Sequence, residues 1–303
     1  MKWQGRERSS NIEDRRTSGG GLGGLGGRSS GGLNPFGRGG GIGIPTGRGG
    51  LGGIIGIIVV FGILWLVTGQ NPLDMLTGTA TNQGTSTSTP AQTAGDDELA
   101  NFVGVVVKEN ETLWTKVFKD NNMTYVPPKV VLFTEQTQSA CGVAQASSGP
   151  FYCPNDQKVY IDLAFYNQLR QQFGAPGDFA QAYVIAHEIG HHVQNLTGVL
   201  PDFNAKRATM SQDQQNAYSV QVELQADCYA GVWANDAKRQ NLLEAGDAEE
   251  AINAANAIGD DTLTRGQVAP RNFTHGTSQQ RMAALKRGMD SGDVGQCELG
   301  GTI

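Results

Sequence analysis

The most informative segment of the sequence is His187-Glu188-Ile189-Gly190-His191. Residues four apart on a helix project from one face one turn apart, so the two His side chains can bind one metal ion. Glu188 lies about 100° further round, where it can activate a water molecule on that metal without being a ligand. The chain holds only 4 His, so composition alone rarely produces this pattern. The stretch predicts a zinc site on a helix, with Gly190 leaving room for a neighbouring backbone.

The alternative, an exposed helix with incidental histidines, fits the surrounding sequence poorly. Ala182, Val184, Ile185 and Val193 are apolar and indicate a largely buried helix. Unpaired His and Glu side chains would be costly there, which favours the metal. His192 directly follows a ligand and faces elsewhere, so we expect it to be only a neighbour of the site.

A catalytic zinc site needs a third protein ligand and one open position. A third His is excluded, because Gln194 and Thr197 stand where the extended His-ligand motif has Gly and His. The best candidate is Glu223, which lies four residues before Asp227 on one face of an apolar helix. Two such carboxylates repel each other unless a cation is near. We expect Glu223 to bind the metal and Asp227 to accept a hydrogen bond from a ligating His; a solvated acidic face is the alternative.

Zinc-site catalysis also needs a donor for the developing oxyanion. His275 precedes Arg281 by six residues at the start of the last helix, and either side chain could serve, as could Tyr229. For His275, a capping or packing role is equally consistent with the sequence.

The N-terminal third of the chain has a different composition. Of 43 Gly, 23 fall in the first 69 residues, among Arg and Ser, which predicts a disordered arm over residues 1–50. An uncharged apolar run follows, and it predicts a transmembrane helix over residues 51–69. A Thr- and Ser-rich linker over 70–96 precedes one domain over 97–303.

The charges beside the span predict its orientation. Arg residues precede it, whereas Asp and Glu follow it before the first downstream Lys, Lys108. The positive-inside rule therefore places the N-terminus in the cytoplasm and the domain outside. The expected location is a bacterial inner membrane crossed once, with the catalytic domain in the periplasm or outside.

The four cysteines all lie in the predicted outer domain, which favours two disulfides. Three connectivities are possible. We favour Cys141 with Cys153, which closes a short loop, and Cys228 with Cys297, which ties the tail to a helix.

The expected fold class is α+β with a helical majority. Helices are predicted over 97–121, 178–196, 212–235, 242–258 and 278–289. Segments 130–133 and 159–162 resemble strands that could pair as an antiparallel ribbon, and the second could hold substrate by strand addition.

These residues resemble a known family. The H-E-I-G-H-H run at 187–192, the E-x-x-x-D helix at 223–227, the T-H-G segment at 274–276 and the Gly-rich arm with one span are similar to bacterial neutral zinc metallopeptidases of the YpfJ-like membrane type. The resemblance covers essentially the whole chain. The paired helices also resemble the wider gluzincin group, including HtpX-type and CAAX-prenyl-type proteases.

The resemblance implies a zincin-like fold with one Zn²⁺ per chain. By position it implies ligation by His187, His191 and Glu223, catalysis by Glu188 and support from Asp227. It also implies transition-state help from His275. The chain departs from the HtpX type in its single N-terminal span, and in Gly276, where those proteases commonly have Pro.

The leading interpretation is a membrane-anchored zinc endopeptidase, a hydrolase in which Glu188 activates zinc-bound water to cleave a polypeptide. The alternative is an envelope binding or assembly module that keeps zinc for structure alone. Arg-Gly-Gly repeats at Arg38 and Arg48 are typical of RNA-binding tails. With few Arg and a neighbouring membrane span, however, we do not expect a nucleic-acid partner. The expected partners are a polypeptide substrate and the lipid bilayer.

Overall fold

The computed structural model describes residues 1–16 and 94–299. These residues form a four-stranded sheet, a two-stranded sheet and a larger set of helices that share one main core. The described part is therefore α+β and mostly helical, which confirms the predicted fold class. Its strands are β1 (Ile12–Asp14), β2 (Lys129–Phe133), β3 (Gln136–Ser139), β4 (Gly142–Gln145), β5 (Phe151–Cys153) and β6 (Lys158–Asp162).

The larger sheet has the strand order β1-β2-β6-β5. β2 and β6 run parallel, with Val130 opposite Val159, so the predicted antiparallel ribbon is wrong. Both strands are apolar at successive positions and buried on both faces, which is typical of parallel strands. The antiparallel partner of β6 is β5. Because β6 is paired along both edges, its predicted role in strand addition is also wrong. β5 is the edge strand on that side of the sheet, and β1 is the edge strand on the other side.

The two predicted disulfides are confirmed. β3 and β4 form a separate hairpin, and Cys141 in its turn is bonded to Cys153 at the end of β5. The bond joins the two sheets. The second disulfide joins Cys228 to Cys297 and holds the C-terminal tail.

The helices of the described residues are α1 (Ala94–Asp120), α2 (Phe165–Gln171), α3 (Asp178–Leu196), α4 (Val199–Lys206), α5 (Gln212–Arg239), α6 (Asp247–Ala257), α7 (Asp260–Leu263) and α8 (Ser278–Ser291). The predicted bounds of α3 are confirmed. α6 begins five residues later than predicted, because Gly246 adopts a left-handed conformation just before it. Leu242 is nevertheless fully buried, so its apolar character reflects the core rather than a helix.

α3 is the central helix. Of its 19 residues, 14 are buried, because α1, α5, α6 and the sheet all pack against it. α5 and α8 each begin with a capping box, at Ser211 with Gln214 and at Thr277 with Gln280. These caps fix where the two long helices start relative to α3.

α5 and α8 cross with their backbones in contact. A Cβ atom at Gly231 would lie 2.1 Å from the carbonyl oxygen of Leu285, and one at Gly288 would lie 2.0 Å from that of Cys228. Only glycine fits at either position. The crossing brings α8 close enough for its side chains to reach the interior face of α5.

The N-terminal segment differs from its prediction. Residues 1–16 pack against the domain, and β1 pairs with β2 from Ile12↔Val130 to Asp14↔Leu132. The predicted disorder is therefore wrong for these residues. Their composition explains the difference, since Met1, Trp3 and Ile12 supply large apolar side chains to the core, whereas the Gly-rich sequence after them has few such residues.

Among residues 1–16 and 94–299, none of the helices is both long and apolar enough to cross a membrane. The predicted span at 51–69 and the predicted disorder over 17–50 lie outside the described residues. So does most of the predicted linker, of which residues 94–96 form the first turn of α1.

Gly231→Ala tests the helix crossing. The added methyl group must push backbone against backbone, so we expect a loss of about 1–3 kcal/mol in the free energy of unfolding. Gly104→Ala is the matched control, because the atoms nearest to a Cβ there belong to the Arg8 side chain, with its Cβ 3.3 Å away, and not to a helix backbone. Denaturant unfolding should show little change or a slight gain for that variant. Equal losses in both variants would contradict the crossing.

Candidate metal centre

The centre forms where α3 and α5 pack closely. A Cβ atom at Gly190 would lie 3.2 Å from the Cα and carbonyl oxygen of Ala226, which confirms that this glycine permits close backbone packing. The short distance between the helices lets side chains from one turn of α3 meet side chains from α5.

Three side chains converge there. His187 Nε2 lies 3.1 Å from Glu223 Oε2, and His191 Nε2 lies 3.5 Å from Glu223 Oε1. One ligand atom from each of these residues lies within 4.8 Å of the others. The structure thus brings together two residues of one motif and one residue more than thirty positions downstream.

The second ring nitrogen of each imidazole is already bonded. His187 Nδ1 lies 2.8 Å from Asp227 Oδ1, and His191 Nδ1 lies 2.8 Å from Gln194 Oε1. Because both oxygens accept hydrogen bonds, each Nδ1 carries a proton, and Nε2 is the nitrogen through which each ring would bind a metal. Two imidazole lone pairs and a carboxylate are a donor set that suits Zn²⁺, so these residues fit the ion.

Four hydrogen bonds hold the Asp227 side chain. Its carboxylate accepts hydrogen bonds from the Tyr183 hydroxyl at 2.6 Å and from the Arg281 Nε and Nη2 atoms at 2.9 Å each, besides His187. Burial raises the pKa of Asp227, yet the charges of Arg281 and His187 outweigh burial and lower it from 3.8 to about 2. Asp227 therefore stays ionised and holds the His187 ring in one orientation.

Two of the candidate oxyanion donors, Arg281 and Tyr229, do not face the three converging side chains. Arg281 is 3% exposed, and its guanidinium bonds Asp227, Tyr183 and the carbonyl of Ile258, so its suggested role as an oxyanion donor is wrong. Tyr229 packs edge-to-face on Trp114 in the core, with ring centroids 5.2 Å apart. Both side chains serve the packing behind the centre.

His275 remains beside the centre. Its Nδ1 lies 3.1 Å from Asp260 Oδ1, while the other oxygen of Asp260 accepts the backbone N–H groups of residues 274–276. Burial lowers the pKa of His275, but Asp260 and the nearby Glu223 carboxylate outweigh burial and raise it. Asp260 thus fixes the loop and leaves Nε2 as the nitrogen free to act.

Glu188 lies beside the two imidazoles and outside the group of three. Burial raises its pKa, whereas the imidazoles and a hydrogen bond from the backbone of Tyr152 lower it, and burial prevails. Tyr152 is the middle residue of β5, so the contact places the edge strand directly beside this carboxyl group.

His192 joins the edge strand to α3 and is not part of the group of three. Its Nε2 donates to the carbonyl of Val126 at 2.8 Å, and its Nδ1 lies 3.0 Å from the Tyr152 hydroxyl. The expectation that His192 faces away from the ligands is confirmed.

The family comparison agrees with this geometry. The family described as "Putative neutral zinc metallopeptidase" matches residues 1–299. The chain belongs to this family. The match begins at residue 1, so it includes the N-terminal segment that carries β1 as well as the two metal-centre helices.

Two bacterial relatives extend the comparison. The chain is 47% identical over 308 aligned residues to "Uncharacterized protein YpfJ" of Escherichia coli (strain K12), with 99% of each protein covered. It is 41% identical over 188 residues to "Uncharacterized protein Rv2575" of Mycobacterium tuberculosis (strain ATCC 25618 / H37Rv), which covers 57% of this chain and 62% of the relative. No solved structure matches this chain.

Sequence reasoning missed three residues of the centre. Gln194 was used only to exclude a motif, although its position three residues after His191 on one helix could have marked it as a hydrogen-bond partner. Tyr183 lies one turn before His187 and could have been found in the same way. Asp260 has no such signal, because it meets His275 only through the tertiary fold.

Asp227→Ala tests the buried network. It leaves the Arg281 guanidinium buried without its counter-charge, so we expect a loss of about 3–5 kcal/mol in the free energy of unfolding. Asp236→Ala is the control, because it removes an acid from the same helix whose partner, Arg239, is largely exposed. That variant should lose no more than about 1 kcal/mol.

A double variant guards against a general folding defect. Asp227→Ala with Arg281→Met removes both charges, so denaturant unfolding should show a smaller loss than the sum of the single losses. Strict additivity would contradict the pairing.

Proposed function

We propose that this chain is a zinc-dependent endopeptidase whose metal ligands are His187, His191 and Glu223. The observation that carries the proposal is the convergence of their ligand atoms within 4.8 Å beside a buried Glu188 that is not one of the three. A structural zinc site has four protein ligands and no adjacent base. Three ligands with a neighbouring carboxyl group are the arrangement of a hydrolytic site.

The metal and the carboxyl group have separate roles. Zn²⁺, when bound, supplies a Lewis acid that polarises the scissile carbonyl and lowers the pKa of water. Glu188 accepts a proton from the attacking water and gives it to the leaving amine. Asp227 and Gln194 hold the two imidazoles in the orientation that ligation requires.

His275 is the proposed donor to the developing oxyanion. Asp260 holds its Nδ1 and thereby leaves Nε2 to donate a hydrogen bond to substrate. The proximity of His275 to Glu223, which is close enough for their charges to interact, supports this role.

An extended polypeptide is the proposed substrate. Among the described strands β5 is paired on one side only, and the backbone of Tyr152 is near enough to Glu188 to lower the pKa of its carboxyl group. A peptide that adds to the other side as a strand would place its backbone carbonyl groups beside the base. Substrate would thus add to β5, and not to the segment 159–162.

The two disulfides support a location outside the cytoplasm.

Glu188→Gln is the decisive variant for the reaction. The purified chain with Zn²⁺ should cleave unfolded casein, and a chelator should stop the cleavage. Because the amide cannot accept the proton, Glu188→Gln should lower the rate by roughly 10²–10⁴-fold and still bind one zinc. Zinc content measured by elemental analysis and casein cleavage measured on the same sample separate the two effects.

The matched control is Glu249→Gln, an exposed residue on α6. It should retain both zinc and activity. Cleavage by Glu188→Gln at the rate of the unmodified chain would contradict the proposed mechanism, and zinc without cleavage of any unfolded protein would favour a structural metal.

A further inference from the structure

The first residues of the chain are built into the domain. Met1 is 3% exposed, and its side chain belongs to the main core. The backbone N–H of Lys2 donates to the carbonyl of Leu242 at 2.7 Å, and the Trp3 ring packs edge-to-face on Phe102. Residues 1–3 are therefore held by side-chain and backbone contacts at once.

The α-amino group of Met1 lies among three carboxylates. It is 2.9 Å from Asp178 Oδ1, 2.8 Å from Glu244 Oε2 and 3.2 Å from Asp247 Oδ2. Asp247 is almost fully buried, whereas Asp178 is one-third exposed and Glu244 about half exposed. Three converging carboxylates repel one another unless a cation lies among them, and the Met1 ammonium is that cation.

Acids in the first turn of a helix are common for another reason. Asp178 begins α3 and Asp247 begins α6, where acids stabilise the helix dipole. That role does not explain Glu244, which precedes α6, nor the convergence of all three acids on one nitrogen atom. The geometry requires a ligand with several N–H donors and a positive charge, and a primary ammonium has both.

The rest of the segment follows the same surface. Arg6 pairs with Glu109 at 2.8 Å, and the backbone N–H of Ser9 donates to the carbonyl of Gly104 at 2.9 Å. β1 then adds to the outer edge of β2. Continuous contacts from Met1 to β1 make the segment part of the domain.

We infer that Asp178, Glu244 and Asp247 form a binding site for the α-ammonium group of Met1 whenever Met1 carries a free α-amine, and that its occupation locks residues 1–16 onto the first turn of the metal-centre helix α3. This site lies outside the metal centre and is independent of the proposed peptidase activity. Its cation is an organic ammonium group and not a metal ion.

Docking of residues 1–16 onto the domain limits the number of times that the chain between them can cross a membrane. A single crossing between residues 16 and 94 would put the two described parts on opposite faces of a bilayer, where they cannot touch. Docking requires an even number of crossings, zero included, whereas the charge pattern predicts one. The two predictions therefore exclude each other and can be tested directly.

Stability measured on the full zinc-loaded chain tests the binding site. Adding Gly-Ser before Met1 moves the ammonium away and leaves the buried Asp247 carboxylate and its two partly exposed neighbours without that cation. We expect the Tm at pH 7 to fall by roughly 5–10 °C relative to the chain with a free Met1 amine, which mass spectrometry verifies. Acetylation of Met1, which removes the charge and leaves one N–H donor on the nitrogen, should lower the Tm in the same direction.

The pH dependence gives a signature that a steric defect would not. Burial lowers the pKa of the Met1 ammonium, but hydrogen bonds to Glu244, Asp178 and Asp247 outweigh burial and raise it from 8.0 to about 10. A raised pKa means that the stabilisation is complete below pH 8 and is lost as the pH rises to about 10. The Tm difference should therefore shrink across that window. Glu250 and Lys2 also face this region.

Controls separate the ammonium from a general charge effect and from a metal. Asp247→Asn should lower the Tm of the free-amine chain more than that of the extended chain, whereas Glu249→Gln on the same helix should change neither. Equal Tm values for the free and extended chains at pH 7 would overturn the inference. So would stabilisation of the free-amine chain by added Mg²⁺, Ca²⁺ or Mn²⁺ that Asp247→Asn abolishes, since Asp178, Asp247 and Glu250 could also hold a metal.

Cysteine labelling tests the topology in cells that produce the chain. Ser10→Cys and Thr115→Cys introduce single exposed thiols in the N-terminal segment and in α1. With a membrane-impermeant maleimide, we expect both thiols to be labelled or both to be protected. Labelling of one alone would show that the segment and the domain lie on opposite faces and would overturn the docking.

Discussion

The buried hydrogen bonds of the Asp227 carboxylate hold the metal centre together. This carboxylate is fully buried on α5, and it binds Tyr183 and His187 of α3 and Arg281 of α8, so one side chain joins three helices. A buried charge is tolerated only when it is paired and fully bonded, and Asp227 meets that condition through four hydrogen bonds. The same bonds fix the helix packing and the orientation of His187.

Close backbone packing makes this network possible. Gly190 lets α3 approach α5, and Gly231 and Gly288 let α8 approach α5, so that Arg281 reaches Asp227 from the far side. Behind the two imidazoles the protein supplies an ionised Asp227 on one side and a neutral Gln194 on the other. In front of them lies the Glu223 carboxylate. The fold thus orients both His rings from behind and leaves their Nε2 atoms facing Glu223.

The sequence could predict what depends on local spacing. The α3 bounds, both disulfides and the convergence of Glu223 with the H-E-x-x-H motif follow from helical periodicity, cysteine placement and the cost of buried acids. Strand direction could not be predicted, because a short apolar strand such as β2 or β6 carries no information about its partner. The docking of residues 1–16 was hidden by the Gly-rich stretch that follows, and Asp260 and Arg281 acquire their partners only through the packing of distant helices.

Anomalous X-ray scattering at the zinc edge, from crystals of the zinc-loaded chain, tests whether His187, His191 and Glu223 bind one zinc ion. We expect one strong peak per chain, about 2.0–2.2 Å from His187 Nε2, His191 Nε2 and a Glu223 oxygen, with no fourth protein ligand. A peak elsewhere, or a zinc ion at this position with a fourth protein ligand, would contradict a catalytic site with three protein ligands.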